Sequence, residues 1–201
     1  MPVSARRTFP RHKSELLMLG MRLAIEFCDL NGIEPPAVEV VPRERWHFAP
    51  CAYYRPESGI HICLEKCASP CGDLPSRACS WPGSVSDRTP YGVVAHELGH
   101  HVDWLTGEVK GPYWSDFGGS VRGQSGEQAI TSYCPGDEEW FAEMFRLYLT
   151  NPALLRQLRP RTWVILAEHW RGVGGVDWRE ELGSNCPGWV VQRLLKKGAH
   201  V

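Results

Sequence analysis

A chain of 201 residues with 43% hydrophobic side chains, 9 Trp and 22% charged residues has the length of one domain and the composition of a folded protein, which excludes a disordered chain. A formal net charge of −1 offers no broad field to nucleic acid or to an anionic membrane surface. No stretch approaches the roughly 18 apolar residues of a membrane span, and Arg6, Arg7, Arg11 and Lys13 sit where an apolar signal sequence would lie, so a cytoplasmic protein with no nucleic-acid and no membrane partner is expected.

In chain order, residues 1–13 read as a flexible arm. Residues 14–31 place Leu16, Leu19, Leu23, Phe27 and Leu30 at steps of three and four behind a Ser14 cap, predicting an amphipathic helix that ends at Asn31-Gly32. Residues 37–41 and 46–54 read as extended, and residues 60–64 alternate as a half-buried strand does. Pro56, Ser58 and Gly59 supply a turn that makes the last two segments a hairpin. The stretch 63–90 is a Cys-, Ser-, Pro- and Gly-rich loop in need of internal fastening. A helix follows at 90–105, with Pro90 in its first turn and Thr106-Gly107 closing it. Residues 107–136 read as a long Gly- and Ser-rich loop. A second strong helix spans 137–150, stopped by Asn151-Pro152, and shorter helical pieces are predicted at 152–158, 162–170 and 189–197. No repeat or boundary divides the chain, so residues 1–201 form a single domain in this reading.

The chemistry concentrates in His96-Glu97-Leu98-Gly99-His100. On a helix the two histidines stand four residues apart on one face, close enough to share a Zn²⁺, and Glu97 beside them is placed to act as general base and then to return the proton to a leaving amine. His101 is rotated roughly 100° from His100 and reads as a residue supporting the ligands from behind, a surface residue or a packing residue. Asp103 lies one turn beyond His100, where it could orient a ligand imidazole or stand as an exposed carboxylate.

A catalytic zinc takes three protein ligands and a water. A metzincin would supply a third histidine six residues after His100, but Thr106 stands there, which excludes that class. Carboxylates remain, and Glu139 and Glu143 share a helix face with Phe141, Phe145 and Tyr148 available to anchor the helix. One can bind zinc while the other hydrogen-bonds a ligand.

HELGHHVD followed by SYCPGDEEWFAEMFRLYL resembles the catalytic domain of anthrax toxin lethal factor and the short metallopeptidases of phage and prophage genomes, within the gluzincins. The likeness covers roughly residues 90–170. Joined to the elements read along the rest of the chain, the expected fold is α+β and zincin-like, with an N-terminal helix, a small mixed or antiparallel sheet, the HExxH helix and a largely helical C-terminal half. The likeness makes Glu139 the third zinc ligand, Glu143 a partner of a ligand, and Tyr133 the phenol that stabilises the oxyanion. The spacing departs by one residue between Tyr133 and Glu139, where Cys134-Pro135-Gly136 lies. In zincins an edge strand beside the active-site helix pairs with extended substrate, a role expected of Ile60, His61 and Ile62.

The activity implied is zinc-dependent hydrolysis of a peptide bond in a peptide or protein substrate. Its rival is a non-enzymatic, zinc-stabilised interaction module encoded by a phage, whose HELGH site is closed by a fourth protein ligand. Cys63, Cys67, Cys71 and Cys79 have enough thiols for a second, structural Zn²⁺ that fastens the loop. Free or buried thiols and disulfides are the alternatives, the last disfavoured in a reducing compartment.

Overall fold

The computed structural model describes residues 12–69, 80, 82–110, 115–131 and 136–173. Over these the chain is α+β, with six helices and a three-stranded sheet, and no described helix is long and apolar enough to cross a membrane. The expected helix at 189–197 and nearly all of the expected arm lie outside the described residues.

Helix α1, Lys13–Asn31, buries Leu16, Leu17, Leu23, Ala24 and Phe27 along one stripe. Its N-cap is His12, two residues before the expected Ser14 cap, and no side chain caps it. Lys13 lies inside the helix and donates from Nζ to the Leu64 carbonyl at 3.0 Å, so it does not belong to an arm.

Strands β1, Val38–Val40, β2, Ala52–Arg55, and β3, Gly59–Ile62, form a mixed sheet in the order β1-β3-β2. The predicted hairpin is present as the antiparallel β2–β3 pair, with Tyr54 opposite Ile60, while β1 runs parallel to β3. The extended segment expected from residue 46 begins only at Ala52: a 3-10 turn, Arg43–Arg45, and an irregular stretch precede it.

Helix α2, Pro90–Thr106, carries the HELGH sequence and buries its length between α1 and α4, Asp137–Thr150. Gly99 sets how closely α2 and α4 approach: a Cβ there would lie 2.8 Å from the Ala142 Cα. The apolar side chains of α1, the sheet, α2 and α4 merge into one cluster, with Phe27, Leu98, Trp140, Phe141 and Phe145 fully buried. Helices α5, Pro152–Leu158, and α6, Pro160–His169, finish the described chain.

The predicted loop at 107–136 contains a helix that sequence missed: α3, Phe117–Ser125. Its sequence, FGGSVRGQS, is poor in helix formers, and tertiary contacts hold it instead. The Gly118 N–H donates to Asp103 Oδ1 at 2.7 Å, and the bare Gly118 backbone packs where a Cβ would come within 2.8 Å of the Phe141 side chain.

Candidate metal centre

Because α2 packs along α4, the residues spaced four apart on each helix meet across the interface. His96 Nε2 lies 3.2 Å from Glu139 Oε2, and His100 Nε2 lies 3.7 Å from Glu139 Oε1. One ligand atom from each of His96, His100 and Glu139 falls within 4.8 Å of the others, the one group among the described residues that could hold a metal ion.

His96 is oriented from its far side, since Nδ1 stands 2.9 Å from Glu143 Oε1. A carboxylate can only accept, so Nδ1 carries the hydrogen and the Nε2 lone pair is directed at Glu139. Glu139 Oε2 is buried and has no hydrogen-bond partner among the described residues. Two electron-rich atoms therefore face each other at 3.2 Å, an arrangement that a cation stabilises and that a neutral pair does not. Without a metal a proton fills that role. Burial opposes charge on His96, but the Glu139 and Glu143 carboxylates beside its two ring nitrogens and the charge of Glu97 hold it well above its ordinary value. His100 is pushed down to about 4 by burial and by His96, which keeps its ring neutral and its lone pair available. Imidazole and carboxylate donors of this kind suit a zinc ion.

Glu97 is 6% exposed. Burial pushes its carboxyl up to about 8, helped by Glu139 and Cys51 and opposed by His96 and by a hydrogen bond from the Tyr54 backbone N–H. A carboxyl with an affinity for protons near neutrality is suited both to take a proton and to give it back. Sequence did not point to the Tyr54 contact, because it is made by backbone. Cys51 O accepts from Cys63 N at 2.8 Å, which makes that cross-strand pair the hydrogen-bonded one and turns the N–H groups of Ala52 and Tyr54 away from β3. Among the described residues, the unpaired edge that faces Glu97 is thus β2.

That topology corrects the expected substrate strand. Ile60, His61 and Ile62 belong to β3, which is paired on both sides and has no free edge to offer. Ile60 and Ile62 are fully buried, and His61 lies stacked on Tyr53 with its ring nitrogens at Ser58 and Glu39.

Compared with protein-family models, curated proteins and solved structures, the chain matches none. What can be said of its chemistry comes from its own residues.

Asp103 is a second correction. It is 1% exposed, and its carboxylate is engaged by Gly118 N and Ser115 Oγ, so it ties α2 to the segment around α3. His101 is a packing residue: Nδ1 meets the Tyr54 hydroxyl at 3.0 Å and Nε2 the Glu34 carbonyl at 2.8 Å. Tyr133 lies outside the described residues, as do Cys71 and Cys79. Cys63 and Cys67 carry free thiols. Cys63 donates to Glu65 Oε2 at 3.4 Å and Cys67 lies 3.5 Å from the Cys63 carbonyl. The neighbouring Cys67 thiol, with help from Arg88 and against burial, pulls Cys51 below its ordinary value.

Proposed function

We propose that the chain is a zinc-dependent peptidase of gluzincin type. The observation that carries this is the meeting of His96, His100 and Glu139 within 4.8 Å of one another, with Glu97 buried alongside. The resemblance of residues 90–170 to the lethal-factor catalytic domain supports the same assignment of Glu139.

A bound zinc supplies two things, a water whose pKa falls from about 15.7 to near 7 and a polarised scissile carbonyl. The chain's own residues do the rest. Glu143 orients His96, and Glu97, held by the Tyr54 N–H, accepts the proton of the attacking water and passes it to the departing amine. The outward backbone groups of β2 other than the Tyr54 N–H, which Glu97 takes, pair with an extended peptide and place its carbonyl beside Glu97. Tyr133 would steady the oxyanion.

Glu97→Gln tests the assignment. The variant is expected to bind zinc as the native chain does and to lose hydrolysis by about 10²–10⁴-fold, read as new protein termini mapped by mass spectrometry after incubation with a cell lysate, with and without chelator. Undiminished, chelator-sensitive cleavage by Glu97→Gln would remove that residue from the mechanism.

A further inference from the structure

Arg146 sits on α4, three residues after Glu143, and is 1% exposed. A guanidinium so far from water needs an acceptor for each of its donors. Its Nε donates to Glu143 Oε1 at 3.2 Å and its Nη2 to Glu143 Oε2 at 2.9 Å. The same group reaches across to the segment that leads into α2, where Nη1 donates to the Ser84 carbonyl at 2.9 Å and Nη2 to the Val85 carbonyl at 2.6 Å. Glu143 Oε1 in turn faces His96 Nδ1 at 2.9 Å. One continuous chain of contacts therefore runs from residues 84 and 85, through Arg146 and Glu143, to the imidazole whose other nitrogen faces Glu139.

Gripping both oxygens of a carboxylate does more than neutralise it. The terminal torsion of a glutamate is broad and weakly restrained, so a carboxylate held at one oxygen can rotate the other away from its partner. A planar fork on both oxygens fixes the plane of the group. The partner of a ligand histidine decides which ring nitrogen carries the hydrogen and where the other one points.

The geometry points to Arg146 as a positioning residue of the metal centre: its fork on Glu143 holds Oε1 against His96 Nδ1 and so keeps His96 Nε2 presented toward Glu139. This rests on the metal reading above. Arg146 touches neither metal nor substrate and acts only through Glu143. Its grip on Ser84 and Val85 makes the approach to α2 part of the same device.

The test is a double-mutant cycle on the full chain, with Arg146→Lys, Glu143→Gln and the pair combined. Lysine keeps the charge and cannot form the fork. Zinc affinity is read by competition with a chromophoric chelator, and the ligand field by the visible absorption of the cobalt-loaded protein. Each single change is expected to weaken zinc by about 10–100-fold and to shift the cobalt spectrum alike, and the double variant to be no weaker than the weaker single. Additive losses, or a cobalt spectrum in Arg146→Lys identical to native, would overturn the assignment, since a residue that reaches the metal only through Glu143 has nothing further to lose once Glu143 is changed. Arg146→Gln, which can reach one carboxylate oxygen but not both, is the second variant and is expected to behave as Arg146→Lys does. If neither variant folds while Glu143→Gln does, Arg146 serves the fold and the proposal fails. A native chain that binds no zinc sinks the metal reading itself; zinc binding with additive losses sinks only the role of Arg146.

Discussion

At the scale of single residues the centre turns on His96, which meets a carboxylate at each ring nitrogen, Glu143 at 2.9 Å and Glu139 at 3.2 Å. Only Glu139 also approaches His100. Glu139→Gln is therefore predicted to cost at least about 100-fold in zinc affinity by chelator competition, more than the loss of a group that merely orients a ligand; an unchanged affinity would mean the metal is held elsewhere. Asp87 gives a separate, pH-dependent prediction. Burial pushes its carboxyl up to about 6, against Arg146 and the hydrogen bonds from Thr89 and Gly83. A carboxyl raised on folding adds stability in full below its unfolded value and loses it as pH rises through the folded one. Relative to Asp87→Asn, the native chain should lose on the order of 3 kcal/mol between about pH 4 and pH 7, measured by denaturant unfolding at each pH. A difference that does not vary with pH would contradict this. The HELGH residues were legible in the sequence because a helix fixes what lies four residues apart. Asp103 was misread because its partners, Ser115 and Gly118, come from a turn and helix with no sequence signal. The contacts of Arg146 with the Ser84 and Val85 carbonyls and that of the Tyr54 N–H depend on distant backbone, which no local pattern encodes, whereas the pairing of Arg146 with Glu143 lies at helical spacing.

Between elements, the α2–α4 contact brings the ligands together, and Gly99 lies at its closest point. Gly99→Ala gains up to about 1 kcal/mol of helix propensity. Against that, its Cβ meets the Ala142 Cα at 2.8 Å, a backbone atom that can give way only if the helices part, and overpacking of this kind costs about 1–3 kcal/mol. The variant is predicted to be no more stable than native and to bind zinc more weakly, because His96 and His100 move away from Glu139 together. Higher stability with native zinc affinity would show that the helices have slack. The long helices were visible in the sequence because their apolar residues recur at helical spacing over many turns. Helix α3 was not, since its nine residues include Gly118, Gly119 and Gly123 and its stability comes from Asp103 and the Phe141 face. Strand order was equally hidden: β2 and β3 each alternate as strands do, and only β1 pairing with β3 leaves β2 at the edge.

For the molecule as a whole, the candidate centre is a product of the core. Its ligands come from two helices far apart in the chain, and the cluster that buries Phe27, Leu98, Phe141 and Phe145 holds those helices in register. The sheet and α1 close the other side of α2, so the histidines have one face in the core and the other toward Glu139. The α+β class followed from the spacing of apolar residues, and helix faces put His96 with His100 and Glu139 with Glu143; that Glu139 is the carboxylate to meet the two imidazoles was what the resemblance implied. The direct measurement is anomalous diffraction at the zinc edge from crystals of the zinc-loaded chain. A peak about 2.0–2.2 Å from a nitrogen of His96, a nitrogen of His100 and an oxygen of Glu139 is the predicted result. Zinc found only among the cysteines, or no peak between α2 and α4, would contradict it.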